Sequence, residues 1–150
     1  MHPLIEKFQQ HTTEFLDSLA LFNDRERLIA PEGEWSAAFV VHHMADGELH
    51  FAARYLHTLG SDNPPMVYFE EERYPEALHY AKRSVAKSLA SIAGNRAMVL
   101  EILSAISDEA WSRTTTTIDG VAYSLADMVA KADEHIVAHT EQLRALKTQI

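Results

Sequence analysis

His135 and His139 are the two residues of this chain whose type and spacing point most directly to chemistry. They lie four residues apart in a segment with helical periodicity, so both imidazoles project from one face and can share a partner. A His-x-x-x-His pair of this kind is typical of helical metal sites. The alternative is a pair of core histidines, each hydrogen-bonded to a neighbouring helix. Two inward histidines at this spacing favour a metal ion over that alternative.

The apolar residues around the pair support its inward position. At about 100° per residue, one stripe of the last helix contains Leu125, Met128, Ala132, Ile136, Leu143, Leu146 and Ile150. His135 and His139 fall inside this stripe, which predicts that they face the protein interior.

A third ligand is expected from another helix. The segment 36–59 offers four histidines: His42, His43, His50 and His57. His42 and His43 point about 100° apart, so only one of them can face a given point. His43 and His50 share a face but lie about 10.5 Å apart along the axis. The side that carries His43 also holds Asp46, Gly47, His50 and Arg54. A narrow solvated stripe is the alternative interpretation of that side, and periodicity alone leaves both open.

Other kinds of catalytic site find no support in the residues. The chain has no cysteine, which excludes disulfides, a catalytic thiolate of the protein and cysteine-ligated metal sites. A di-iron bundle needs Glu-x-x-His on two helices, and one such motif occurs, at Glu76 and His79. A zincin needs Glu directly after the first histidine, where Ile136 stands. Phosphate-binding glycine loops and a Gly-x-Ser-x-Gly elbow are also absent.

The elements that must position these histidines are four long helical segments. They cover approximately residues 3–28, 36–59, 75–106 and 124 to nearly the end, with a small hairpin predicted over 114–123. Ser36 and Ser124 are predicted N-caps, and Asp127 completes a capping box with Ser124. This pattern predicts an all-α helical bundle, a fold in which facing helices commonly build metal and cofactor sites.

Composition limits the partners. The 150 residues, 47% of them hydrophobic, are expected to form one domain over 1–150. A formal charge of −9 repels phosphate backbones and anionic lipids, so we expect neither nucleic acid nor a membrane as partner. The start resembles no signal peptide, and no apolar stretch approaches the roughly 18 residues of a membrane span. We therefore expect a cytoplasmic protein.

A set of short motifs, in a particular order, resembles one known family. They are Trp35-Ser36, the run from His43 to Glu48, Asn95-Arg96, the run from Asp108 to Arg113, Gly120, the pair His135 and His139, and Gln142-Leu143. Together they resemble the DinB-like superfamily, which includes YfiT-like proteins proposed to be metal-dependent hydrolases and bacterial thiol-dependent S-transferases. The resemblance extends over nearly the whole chain.

This resemblance implies an up-down-down-up four-helix bundle, often dimeric, with a divalent metal ion. It implies that His43, rather than His42, joins His135 and His139 as ligands. The metal could be zinc, nickel, iron(II) or manganese. Characterised relatives use low-molecular-weight thiols such as mycothiol or bacillithiol, and a chain without cysteine would need such an external thiol for sulfur chemistry.

Three further residues are functional candidates near His43. Asp46, one turn after it, is a candidate proton acceptor or hydrogen-bond partner of a ligand imidazole. His50 and Arg54 are candidate contacts for an anionic substrate.

Two functions are consistent with these observations. The first is a metal-dependent enzyme acting on a small molecule, either a hydrolase or a thiol S-transferase. The second is a non-catalytic dimeric bundle that binds a ligand or metal without turnover, because no strong nucleophile or base motif occurs. The apolar circumference of the second helix and the family both favour a homodimer.

Overall fold

Helices account for most of the protein in a computed structural model that describes residues 1–150. The elements are α1 (Pro3–Ala20), α2 (Ala37–Gly60), a one-turn helix α3 (Tyr74–Ala77), α4 (Val85–Ala105), β1 (Thr114–Thr116), β2 (Ala122–Ser124) and α5 (Leu125–Lys147). The prediction of an all-α four-helix bundle is confirmed, with α1, α2, α4 and α5 as its long helices. None of them combines the length and apolarity needed to cross a bilayer.

Side-chain caps define where two of the long helices begin. The hydroxyl of Ser36 accepts a hydrogen bond from the backbone N–H of Phe39 and thereby satisfies a free donor at the start of α2. Ser124 and Asp127 form the reciprocal capping box predicted for α5. The positions of His43, His135 and His139 along α2 and α5 follow from these two starts.

The order of the helices around the bundle follows from which helices pack together. α1 packs against α5 and α4, and α2 packs against α4 and α5, so consecutive helices α1 and α2 lie diagonally. His11 contacts Asp133, and Glu14, further along α1, contacts Arg144, so α1 runs parallel to α5. His42 contacts Ser88 and Glu48 contacts Arg96, so α2 runs parallel to α4. His43 contacts His139, and Phe51, further along α2, contacts His135, which lies earlier in α5, so α2 runs antiparallel to α5. This is the up-down-down-up arrangement.

Two apolar layers form the core. One layer includes Phe15, Leu19, Met44, Ile92, Ile136 and Leu143, and the other includes Phe8, Tyr55, Val99, Leu103, Trp111 and Leu125. Each long helix contributes to both layers. Burying these side chains supplies the main driving force for the bundle.

The polar side chains of Thr12, Glu48 and Arg96, which we call the polar belt, lie between the two layers. Its centre is an ion pair between Arg96 and Glu48, whose side chains are 1% and 2% exposed and whose charged atoms lie 2.8 Å apart. The guanidinium also donates to Thr12 and to the carbonyl of Phe8. An ion pair this deeply buried is tolerable only when its hydrogen bonds are satisfied in this way.

The third predicted helix differs from the observed structure. It was expected from about residue 75, but α4 begins at Val85, and α3 is a separate single turn. His79 adopts a left-handed conformation with φ 52°, which breaks the helix, and Ser84 then caps α4. The break allows the aromatic ring of Tyr80 to turn inward, where it is almost fully buried.

The first predicted helix is also shorter than expected, because α1 ends at Ala20 instead of about residue 28. Asn23 and Glu26 exchange hydrogen bonds between side chain and backbone, which starts a new 3₁₀ turn over Glu26–Leu28. The predicted hairpin over 114–123 forms, with Thr114 paired to Ser124.

Residues 61–84, which we call the crossover segment, link α2 to α4 and fold back over α2. Their start is fixed to β1 by hydrogen bonds of Thr116 with Met66 and Pro64. Their middle lies against α2, where Val67 accepts from Arg54 and Tyr74 bonds His50. The crossover segment therefore forms one wall of the space beside the histidines.

Candidate metal centre and adjoining cavity

Three imidazoles converge between α2 and α5. Nε2 of His135 lies 3.0 Å from Nε2 of His43 and 3.1 Å from Nε2 of His139. One ring nitrogen from each residue lies within 4.8 Å of the others. The structure thus brings together the three histidines expected as ligands, and it places His42 elsewhere, with Nδ1 bonded to Ser88.

Gln142 determines which nitrogen of His139 is free. Its amide oxygen lies 2.7 Å from Nδ1 of His139. An amide oxygen can only accept a hydrogen bond, so Nδ1 carries the hydrogen and Nε2 presents a lone pair to the cluster. This is the arrangement by which a partner residue commonly orients a metal-ligating histidine.

The ring hydrogens of the three histidines cannot form a hydrogen bond at every close contact between their Nε2 atoms. Nε2 of His135 is close to both other Nε2 atoms but can carry a single hydrogen. Nε2 of His139 carries none, so one hydrogen, on either His135 or His43, makes only one of the two contacts a hydrogen bond and leaves the other unsatisfied. A cation that accepts three lone pairs resolves the conflict, so the residues present fit a metal ion.

Burial keeps the imidazoles neutral. It is the largest cause that lowers the pKa of His43 to about 4 and that of His135 to about 3, and neighbouring histidines add to the effect. Burial also lowers the pKa of His139, while the hydrogen bond to Gln142 opposes the change. Neutral rings are the form that binds a metal, so the cluster is ready for one near neutral pH.

The distances also suit a metal site. Two nitrogen ligands of a tetrahedral zinc ion lie about 3.3 Å apart, because each bond is about 2.0–2.1 Å long. Two of the three separations, 3.0 and 3.1 Å, are close to this value, and the nitrogens of His43 and His139 lie within 4.8 Å of each other. Three protein ligands would leave a coordination position open, which is characteristic of catalytic rather than structural zinc sites.

Asp46 lies one turn from His43, but its carboxylate is engaged elsewhere. Tyr80 donates to Oδ2 at 2.7 Å, and Arg83 donates to both carboxylate oxygens at 2.8 and 2.9 Å. These bonds tie the end of the crossover segment to α2. Burial, together with the hydrogen bond to Asp46, raises the pKa of Tyr80 well above its usual value, so the phenol stays neutral, although the nearby Arg83 opposes this shift.

His50 and Arg54 lie together beside the crossover segment. The ring of His50 stacks on Phe69 at 3.5 Å, and its Nε2 lies 2.9 Å from the hydroxyl of Tyr74. The guanidinium of Arg54 donates twice to the carbonyl of Val67. Neither side chain is part of the histidine cluster.

A cavity of about 150 Å³ adjoins the histidine cluster. Its lining is Phe51, Arg54, Phe69, Glu71, Lys131 and His135. A second, outer cavity of about 250 Å³ shares Phe51, Arg54 and Lys131 with the first. A small molecule could therefore extend from the edge of His135 outward past the two cations.

Glu71 is a carboxylate in this inner cavity without a hydrogen-bond donor. A methyl group placed on Gly47 would lie 3.6 Å from Oε1 of Glu71 and 3.4 Å from Cε1 of His135. The carboxylate and the imidazole thus face each other across the glycine. Nε2 of His50 lies 3.8 Å from Oε1, but burial lowers the pKa of His50, so this ring is not a cationic partner near neutral pH. Burial raises the pKa of Glu71, which makes proton uptake easier than for an ordinary glutamate.

Sequence reasoning missed Glu71 and Lys131. Glu71 belongs to the irregular crossover segment, where no periodicity predicts direction. Lys131 lies one helical turn before His135, and that spacing is a signal that could have identified it.

Comparison with known proteins places this geometry in a family. A model of the DinB superfamily matches residues 5–143. No curated protein gives a significant match. YfiT from Bacillus subtilis, described as a probable metal-dependent hydrolase with an unusual four-helix bundle topology, has a TM-score of 0.87 and 18% sequence identity. That match covers 97% of this chain and 85% of YfiT.

A mycothiol-dependent maleylpyruvate isomerase is also similar, with a TM-score of 0.75 and 17% identity over 95% of this chain. This chain covers 61% of the isomerase. At such identities the likeness to solved structures concerns the fold. Because the family model matches most of the chain, the protein belongs to the DinB superfamily.

Proposed function

We propose that this protein is a metal-dependent enzyme acting on a small molecule, with His43, His135 and His139 as ligands of a divalent cation. The observation that carries the proposal is the convergence of three Nε2 atoms that hydrogen atoms cannot satisfy. Zinc, nickel, iron(II) and manganese all accept imidazole ligands, so the donor set leaves the metal's identity open.

The reaction class is activation of a nucleophile, either water or a low-molecular-weight thiol. A bound divalent cation lowers the pKa of a coordinated water or thiol, which provides a nucleophile near neutral pH. The absence of cysteine means that a thiol would come from outside the protein. The descriptions of YfiT and of the mycothiol-dependent isomerase support one alternative each.

Glu71 is the proton acceptor in this proposal. It takes the proton that the water or thiol loses on attacking the substrate, and returns that proton to the leaving group. Asp46 is the sequence's candidate for this role, but both of its oxygens are bound by Arg83 and one by Tyr80. The position of Glu71 in the cavity therefore supports it over Asp46, which instead anchors the crossover segment.

His50 and Arg54 belong to the substrate side of the site in this proposal. The side chain of Arg54 lines the same inner cavity as His135. His50 acts through its contacts, since it stacks on Phe69, which also lines the cavity, and lies near Glu71.

The experiment is metal binding measured without an affinity tag. Protein freed of metal by a chelator is titrated calorimetrically with Zn²⁺, and metal content is measured after dialysis. One ion per chain is expected, with binding abolished in His135→Ala and retained in His57→Ala, a control that removes an exposed histidine of α2. Loaded protein is then assayed for ester and amide hydrolysis and for thiol transfer.

Two outcomes would overturn the proposal. Substoichiometric zinc in the parent protein, together with the same zinc binding in His135→Ala, would show that these histidines do not form a metal site. Stoichiometric zinc with no turnover of any ester, amide or thiol-acceptor pair would favour the alternative, a bundle that binds metal without catalysis.

A further inference from the structure

The inner cavity beside His135 carries a local positive charge in a chain of net charge −9. Two cations, Arg54 and Lys131, line both this cavity and the outer one. Neither forms a salt bridge with an acidic residue. For Arg54 this is unusual, because most other arginines of the chain are paired, whereas among the other lysines only Lys147 is. Two cations at the junction of two cavities give it a positive potential, which attracts the anionic group of a ligand.

We infer that this junction binds the carboxylate of a small substrate between Arg54 and Lys131, with the substrate's reactive group directed toward His135. The inference deepens the proposed function by naming the chemistry of the substrate, and it rests on that function for the direction of the reactive group. The carboxylate subsite itself needs no metal.

Arg54 is held ready for such a contact. Its Nε and Nη2 donate to the carbonyl of Val67, and its guanidinium lies 5.9 Å from the ring centre of Phe51 and 5.4 Å from that of Phe69. The remaining nitrogen, Nη1, has no partner within the protein. A cation fixed in this way loses little conformational entropy when a ligand binds.

Glu71 determines the orientation of a substrate in the inner cavity. Its carboxylate lies at the end of the inner cavity near His135, so a second carboxylate placed there would meet like charge. The anionic group of a ligand is therefore favoured at Arg54 and Lys131. The neutral, proton-bearing part of the same molecule then reaches Glu71 and the histidine cluster.

The outer cavity accommodates the remainder of the molecule. Its apolar and aromatic lining includes Met66, Tyr68, Tyr123 and Met128. Asp127 also lies there, but its carboxylate is bound by Ser124 in the capping box of α5. This lining fits an apolar or aromatic substituent, so the substrate class is a small carboxylic acid with such a substituent.

The test compares a carboxylate with its uncharged amide. Metal-free ¹⁵N-labelled protein is titrated with 3-phenylpropanoate and, separately, with 3-phenylpropanamide, and binding is followed by amide chemical shifts. Removing the metal prevents direct ligation of the carboxylate, so a failure here is distinct from a failure of the metal site. The same titrations are repeated with Lys131→Gln and with Lys87→Gln, a matched charge change on an exposed part of α4.

The carboxylate is expected to bind at least about tenfold more tightly than the amide, with shifts centred on residues 51–54 and 127–135. Lys131→Gln should weaken carboxylate binding about two- to fivefold, the range for one exposed ion pair, and added salt should weaken it further. Lys87→Gln should change nothing. Equal affinity for carboxylate and amide, or equal effects of the two lysine variants, would overturn the inference.

Discussion

The amide oxygen of Gln142 lies 2.7 Å from Nδ1 of His139 and leaves Nε2 of that ring facing the other two histidines. One hydrogen bond between residues three apart on α5 thus prepares a ligand atom for the cluster. The proposed metal site depends on this residue as well as on the imidazoles.

Replacing Gln142 by leucine should lower zinc affinity about 10- to 100-fold, the usual effect of losing a residue that orients a ligand. The Gln142→Glu variant keeps an acceptor and should retain most of the affinity. Competition with a chromophoric chelator measures both. Gln149→Leu, at an exposed glutamine beyond α5, is the control, and a loss of affinity equal to that of Gln142→Leu would contradict the assigned role.

Glu71→Gln removes the proposed proton acceptor and preserves the side chain's shape. Turnover should fall by about 10²- to 10⁴-fold, the range for general acid–base groups. Zinc stoichiometry should stay the same, because the three imidazoles are untouched. Glu72→Gln makes the same charge change one residue along the crossover segment and should leave turnover near the parent value. Similar losses of turnover in the two variants would show that Glu71 is not the proton acceptor.

The buried ion pair of the polar belt predicts a large loss of stability. Arg96→Met leaves Glu48 without its partner, which should lower the free energy of unfolding by about 3–5 kcal/mol. Arg144→Met, at an exposed pair with Glu141, should cost less than about 1 kcal/mol. Urea denaturation of metal-free proteins compares them. The double variant Arg96→Met/Glu48→Leu should recover much of the loss, and no recovery would show that the pair's charge is not the cause.

The histidine pKa values predict how the stability of metal-free protein depends on pH. His43 and His135 have folded pKa values of about 4 and about 3, below the ordinary 6.5. As pH falls through 6.5, the two histidines therefore bind protons in the unfolded chain but not in the folded chain, so the free energy of unfolding decreases. The decrease from pH 7 to 5 should be smaller in His43→Gln/His135→Gln. Chemical denaturation measures it, and equal slopes in parent and variant would contradict the prediction.

The homodimer remains a prediction with one structural support. Leu49 and Leu56 lie seven residues apart on one face of α2 and are 52% and 47% exposed. If this face is the dimer interface, sedimentation should give twice the 16.9 kDa of the monomer. Leu49→Glu should shift the protein to monomer, while the control Met98→Glu, also at an exposed apolar residue, should not. A monomeric parent protein would end the prediction.

The sequence predicts the helices best where local and tertiary preferences agree. Ser36, Ser124 and Asp127 mark helix starts through hydrogen bonds within a few residues, so those starts are readable without the fold. The start of α4 is different. Residues 75–82 have helical composition, but the chain breaks at His79 so that Tyr80 can reach Asp46, a contact 34 residues away. Burial of that ring overrides local propensity.

In the candidate site, too, some residues are predictable from local spacing and others only from the fold. The helical spacing of His135 and His139 predicts their shared direction, and the structure brings them together. Periodicity could not choose between His42 and His43; the family resemblance selected His43, which is the one that joins the cluster. Glu71 could not be predicted, because the path of the crossover segment depends on its pairing with β1 and its contacts with α2.

The histidine cluster joins parts of the chain that are far apart, since His43 and His135 are separated by 92 residues. A chain still in synthesis exposes His43 long before α5 exists, and closing so long a loop is entropically unfavourable until α1, α2 and α4 have gathered. Incomplete or misassembled chains therefore have no three-nitrogen site with which to sequester metal. The proposed metal site is therefore complete only once the four long helices have assembled.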